Sequence, residues 1–195
     1  DKTNHTLVLV DEKSERTIIS MTTPHLRELR MDNVPFKAND VVAFILWREE
    51  FLEDLTRAQA AGCLTVVGAG ALADKNVRHA DLVIGSRTDF PVEVDPVDHL
   101  DRFTSIVITD GMQGAVLYGN GSEIRQSAYK VEVKDTTGAG DAFIAGYLAG
   151  VAHELTPTQS LEIAAKWAAS AVQSESSVPP AFEVVKEQWG IDLIP

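Results

Sequence analysis

Asp135-Thr136-Thr137-Gly138-Ala139-Gly140-Asp141 runs straight into Ala142-Phe143-Ile144-Ala145-Gly146-Tyr147-Leu148. Small residues passing into an apolar, helix-forming run predict a turn that opens a buried helix. Backbone N–H groups in the first turn of a helix lack intrahelical partners and point outward, so they attract an anion. Glycine and alanine let that backbone come close to a ligand. Asp141, in the first turn, is placed to take a proton from a hydroxyl held beside the anion.

Two readings stay open on these residues alone. Asp-Thr-Thr-Gly also suits a plain turn, and Asp141 also suits an acid favoured by the helix dipole. A dinucleotide fingerprint is excluded, because Phe143 stands where the third glycine of G-x-G-x-x-G belongs. No G-x-x-x-x-G-K-[ST] phosphate loop occurs in the chain.

Over fourteen positions, Asp135-Thr136-x-Gly138-Ala139-Gly140-Asp141-x-x-x-Ala145-Gly146-Tyr147-Leu148 resembles the C-terminal signature of the ribokinase-like (PfkB) carbohydrate kinases. The resemblance implies an anion hole made by Gly138, Ala139 and Gly140 for the transferring phosphoryl group. It implies Asp141 as the base that activates the acceptor hydroxyl. ATP and Mg²⁺ are then expected, with a small sugar as acceptor. A nucleoside or a vitamin hydroxymethyl group is the alternative acceptor on the same fold. The implied fold is a three-layer αβα sandwich with a mostly parallel central sheet and part of a β lid.

The elements read from the sequence agree with an α/β class. Thr6–Val10 and Arg16–Ser20 read as strands of a hairpin, with Asp11–Glu15 as its turn. Val41–Leu46, Leu64–Val67, Asp81–Ile84 and Ser105–Thr109 are short apolar runs, as in a sheet buried on both faces. Gly114–Tyr118 and Glu123–Gln126 flank Gly119-Asn120-Gly121 and predict a second hairpin. Helices are predicted over Glu49–Ala61, Leu72–Arg78, Pro96–Phe103, from Asp141 to about His153, over Pro157–Gln173 and over Ala181–Gln188. Strands alternating with helices imply a parallel sheet covered on both faces.

Composition narrows the partners. The 195 residues are 45% hydrophobic and 24% charged, a globular balance for one domain. The net charge of −12 argues against nucleic acid or an anionic membrane as partner. It also repels ATP at long range, so a nucleotide site needs local positive potential from Mg²⁺, a helix N-terminus, or nearby Lys and Arg. Cys63 is the sole cysteine, so no intrachain disulfide forms, and it reads as a packed apolar residue. No signal peptide or membrane-length apolar run is read, so a cytoplasmic location is expected. The five histidines are dispersed and read as surface residues.

Further site residues come from the resemblance. Thr109, Gly111 and Gly114, in Thr109-Asp110-Gly111-Met112-Gln113-Gly114, match a loop that lines the nucleotide pocket, although a glycine turn is the plain alternative. Asp135, Thr136 and Thr137 are placed with them at the cofactor. The family ends the strand at Asp81–Ile84 with Asn-x-x-Glu, which organises Mg²⁺. Here those positions are Ser86 and Asp89, and Asp89 could serve the metal through water. Equally, Ser86 caps the next segment and Asp89 is a solvated acid. Arg87 between them is either a phosphate contact or a surface residue. Asp135 and Thr137 match monovalent-cation (K⁺) positions, but Ser174–Pro180 lacks the glycine that accompanies them.

On this resemblance residues 1–22 are a partial lid hairpin and 38–195 the nucleotide-binding core of one N-terminally incomplete domain. An N-terminal third with most sugar determinants is expected to be absent, exposing an apolar strand edge. A non-catalytic nucleotide-binding remnant is therefore the second functional reading, and a lid-mediated homodimer is a further implied feature.

Overall fold

The computed structural model describes residues 6–10, 16–20, 31–90, 95–176 and 178–193. Two compact units divide the chain, 1–34 and 35–195. The first contains an antiparallel hairpin of β1 (Thr6–Val10) and β2 (Arg16–Ser20), with Val8 opposite Ile18. Both strands have the predicted bounds, whereas the predicted Asp11–Glu15 turn lies outside the described residues.

The second unit is built on a six-stranded sheet of β3 (Val41–Phe44), β4 (Leu64–Gly68), β5 (Ala80–Ser86), β6 (Phe103–Thr109), β7 (Ala115–Gly119) and β8 (Ser122–Gln126), in that spatial order. β3 to β6 are parallel, and β7 and β8 add antiparallel strands at one side. Val83 and Ile84 on β5, and Ile106, Val107 and Ile108 on β6, are fully buried. Successive strand residues point to opposite faces. Consecutive burial therefore shows both sheet faces covered, as the continuous apolar runs predict. The protein has the mostly parallel, three-layer α/β fold expected.

Among the described residues, four α-helices accompany the sheet: α1 (Leu52–Ala60), α2 (Ala139–Ala152), α3 (Pro157–Gln173) and α4 (Phe182–Trp189). A 3₁₀ turn over Glu49–Phe51 precedes α1. Thr156 caps α3 by accepting from the Gln159 N–H at 3.3 Å, and Gln159 Oε1 accepts from the Thr156 N–H at 2.9 Å. With Pro157 in the first turn, this capping box fixes the start of α3. Gly190, at φ 59°, closes α4. The main core joins Val66, Leu82, Ile84, Val107 and Leu117 of the sheet to Phe143 and Tyr147 of α2 and Leu161 and Ala164 of α3.

Two predicted helices do not form. In place of Leu72–Arg78 there is a 3₁₀ turn at Ala69–Leu72 followed by irregular chain. The Arg102 guanidinium binds the carbonyls of Leu72, Asp74 and Val77 at 2.8, 3.1 and 3.0 Å. These carbonyls are thus satisfied by a planar donor fork from a distant residue, which replaces a helical ladder. In place of Pro96–Phe103 there is a 3₁₀ turn at Pro96–His99, capped by Asp95 at 3.0 Å from the Val97 N–H. Phe103 opens β6 and is 1% exposed, so core burial takes it into the sheet.

Candidate active site

The α2 N-terminus forms around Gly138, which has φ 75° and ψ −1°. An L side chain rarely adopts that left-handed backbone, so glycine suits the corner. The Ala142 N–H makes the first helical bond, to Gly138 O at 2.8 Å. The Ala139 N–H makes a longer one, to Thr136 O at 3.3 Å. Among the described residues, no backbone carbonyl receives the N–H of Gly138, Gly140 or Asp141. A Cβ added to Gly140 would meet nothing within 4 Å. Asp141 is exposed, and no described side chain or backbone group bonds its carboxylate. Unpaired donors, open space and an unengaged carboxylate thus sit within four residues.

The turn is anchored from behind. Asp135 Oδ1 accepts from both the N–H and the hydroxyl of Thr137, each at 2.8 Å. The N–H groups of Lys134 and Asp135 reach Val172 O, near the end of α3, at 2.7 and 3.2 Å. On the other side, Phe143 lies two residues after Asp141 and is 5% exposed. It shares the main core with Ile84 and Val107, which lie two residues before Ser86 and Thr109.

Ser86 and Thr109 are register partners at the carboxyl ends of adjacent parallel strands. Ligands of open α/β sheets bind beyond such strand ends. Thr109 Oγ1 lies 3.5 Å from Gly85 O, at the limit of a hydrogen bond. Asp89 Oδ2 accepts from the Ser86 N–H at 2.8 Å, and the Ser86 hydroxyl lies 3.1 Å from that of Thr88. Ser86 therefore starts a 3₁₀ turn over Arg87–Asp89, and Asp89 is exposed. Arg87 Nε stands 3.8 Å from Asp110 Oδ2, bridging this turn to the loop after Thr109. That pairing was not legible from either segment alone.

Gly111 and Gly114 have φ 48° and 94°. A Cβ at Gly111 would meet nothing, whereas one at Gly114 would lie 2.0 Å from Gln126 O. Gly114 thus has a packing reason of its own: it lets the loop enter β7 against the end of β8.

Among the described residues, the thiol and the imidazoles lie outside this site. Cys63 is buried and donates to Lys37 O at 3.2 Å; burial, helped by the Asp40 charge, raises its thiol pKa. Packing is thus its role, as expected. His79 and His153 are exposed, and half-buried His99 bonds Arg102 at 3.1 Å through Nδ1. His5 and His25 lie outside the described residues. Among the described residues no group of three or more His, Cys, Asp or Glu could hold a metal ion, and no helix is long and apolar enough to cross a membrane.

The chain matches the model of the pfkB family carbohydrate kinases over residues 1–182, and it belongs to that family. It is 36% identical over 117 residues to a ribokinase of Schizosaccharomyces pombe, a match covering 54% of this chain and 37% of that protein. In fold it is similar to the nucleoside kinase of Methanocaldococcus jannaschii, an archaeal member of the ribokinase family. The TM-score is 0.77 at 21% identity, covering 96% of this chain and 68% of that one. It is similar too to Arabidopsis thaliana ribokinase complexed with ribose and ATP, with a TM-score of 0.71 at 19% identity, covering 97% and 70%. The matched stretch thus spans well under half of the curated ribokinase's length.

Proposed function

We propose that this chain supplies the phosphoryl-transfer site of an ATP-dependent carbohydrate kinase. The observation that carries the proposal is the α2 N-terminus, with unpaired N–H groups and open space at Gly140 directly before the unengaged Asp141. Asp141 takes the proton of a sugar hydroxyl, whose oxygen attacks the γ-phosphorus of ATP as the bond to the β-phosphate oxygen breaks. Gly138, Ala139 and Gly140 cradle the transferring group with backbone N–H donors, Ala139 by giving up its long contact to Thr136. Such preorganised donors stabilise charge on the phosphoryl oxygens, the main task of this chemistry. Thr109, Gly111 and Gly114, with Asp135, Thr136 and Thr137, line the nucleotide side.

Mg²⁺ would neutralise phosphate charge, and exposed Asp89 fits an outer role toward it through water. Asp135 and Thr137, which match monovalent-cation positions, would hold a K⁺ ion. Residues 1–22 are the partial lid hairpin and a dimer contact, residues 38–195 are the nucleotide-binding core, and the enzyme works in the cytoplasm without nucleic-acid or membrane partners.

A coupled ADP-release assay over sugars, nucleosides and hydroxymethyl vitamins tests the proposal. ATP-dependent turnover of a sugar is the expected result. Preference for a nucleoside or a vitamin would reassign the acceptor. Ser86 and Asp89, standing where the family carries Asn-x-x-Glu, favour a second reading, a nucleotide-binding remnant, and ATP binding without turnover of any acceptor would support it.

A further inference from the structure

Phosphoryl transfer requires cationic compensation, and this chain is poor in it. The segments Ser86–Asp89, Thr109–Gly114 and Asp135–Asp141 together carry four carboxylates, Asp89, Asp110, Asp135 and Asp141. The same segments contain a single basic residue, Arg87. Its partner, Asp110, comes from the neighbouring strand end, because Ser86 and Thr109 are paired in register. The ion pair is loose: Nε and Oδ2 are 3.8 Å apart, and the side chains are 48% and 51% exposed. A half-exposed pair of this kind contributes little to stability, so little holds the guanidinium on Asp110. A polyphosphate offers more negative charge and accepts a guanidinium fork bidentately.

We propose that Arg87 is a phosphate-contacting residue of the nucleotide site, parked on Asp110 in the nucleotide-free protein and transferred to the ATP polyphosphate on binding. The inference rests on the kinase reading above and adds to it the source of local positive charge that a −12 chain needs. Asp110 serves as a positioning residue. It holds the guanidinium over the strand ends when the site is empty and competes with the nucleotide for it. Arg87 discriminates by phosphate number, because its gain grows with the charge presented.

Calorimetric titration of the protein with ATP, ADP and AMP, in the presence of Mg²⁺, tests this. Arg87→Ala is expected to weaken ATP binding about tenfold or more, the scale of a lost charge-assisted hydrogen bond. AMP, with one phosphate, should change far less. Arg87→Lys should recover only part of the loss, because it keeps the charge without the fork. Asp110→Asn should tighten ATP binding by removing the competitor. A melting curve for Arg87→Ala close to the parent's would separate lost binding from lost folding; if that variant melts early, Arg87→Gln replaces it in the same titrations. Equal losses for ATP and AMP, or unchanged ATP affinity, would overturn the role of Arg87 while leaving the kinase reading standing. A parent protein that binds none of the three nucleotides would overturn both.

Discussion

The two halves of α2 use the same residue for opposite ends. At Gly140 a Cβ would meet nothing within 4 Å, whereas at Gly146 it would lie 2.8 Å from Ala164 Cα and at Gly150 2.8 Å from Ser160 Cα. Gly146 and Gly150 are one helical turn apart, so they form a stripe on which the backbone of α3 can lie. The distal half thus carries its two glycines for helix packing, whereas the single glycine of the proximal half, Gly140, meets no neighbour that requires it. Glycine in a helix costs roughly 0.5–1 kcal/mol relative to alanine. Where no neighbour requires it, the proposed function supplies a reason: a phosphoryl group that needs the backbone bare.

The sharpest break between the halves is expected at Asp141. Asp141→Asn removes the base without altering shape, and general-base losses run to about 10²–10⁴ in rate. Turnover should fall on that scale, while ATP affinity and the melting temperature stay close to the parent's. Initial rates and titration calorimetry on one preparation decide it. Rates within a fewfold of the parent would leave Asp141 as an acid that merely complements the helix dipole.

The buried half has its own chemical probe in Tyr147, 4% exposed, whose hydroxyl is pushed up to about 12 by burial. An unfolded tyrosine loses its proton near pH ~10, two units lower. Between these values the unfolded chain binds fewer protons than the folded one, so stability falls as pH rises through the window. The contribution is intact below about pH 10, and about 2 kcal/mol of stability is lost by pH 12. Tyr147→Phe should therefore show a shallower alkaline loss than the parent in denaturant melts at stepped pH. Tyr129 and Cys63, also raised, contribute equally to both proteins and cancel in the comparison. Parallel curves would mean that Tyr147 reaches solvent before the protein unfolds.

Filling the distal stripe should cost less, but enough to see. The added methyl in Gly146→Ala or Gly150→Ala meets backbone atoms of α3, which cannot rotate away. Overpacking of this kind costs about 1–3 kcal/mol, a melting decrease of about 2–12 °C at this size. Thermal denaturation of each variant checks it. An unchanged melting temperature would show that α2 and α3 can separate freely.

Much of this was legible in the sequence because it depends on short-range patterns. The continuous apolar runs at Val66–Val67 and Ile106–Ile108 specify strands buried on both faces, and the Thr156-Pro157 pair specifies the start of α3. The Gly138–Asp141 turn is visible as small residues before an apolar helix. What failed depended on distant partners. The Leu72–Arg78 segment has helical spacing, but its carbonyls are taken by Arg102, about thirty residues later. The Arg87–Asp110 pair exists because β5 and β6 are neighbours in register, which neither loop announces. Likewise nothing in the pattern separates Gly140 from Gly146; only the position of α3 does.

Gly140→Ala should have the smallest effect on the fold and is the cleanest test of that separation. Gly140 is the second residue of α2, with open space where its Cβ would stand. Alanine is the better helix former, so stability should rise, by up to about 1 kcal/mol. The same methyl would project into the space where a phosphoryl group must approach the N–H donors, so ATP turnover should fall. Loss at Gly146 and gain at Gly140 in one thermal-melt series, with activity moving the other way at Gly140, would fix the two roles. A Gly140→Ala protein both more stable and fully active would mean that the bare backbone there serves no ligand, and the anion site would have to be sought at another strand end.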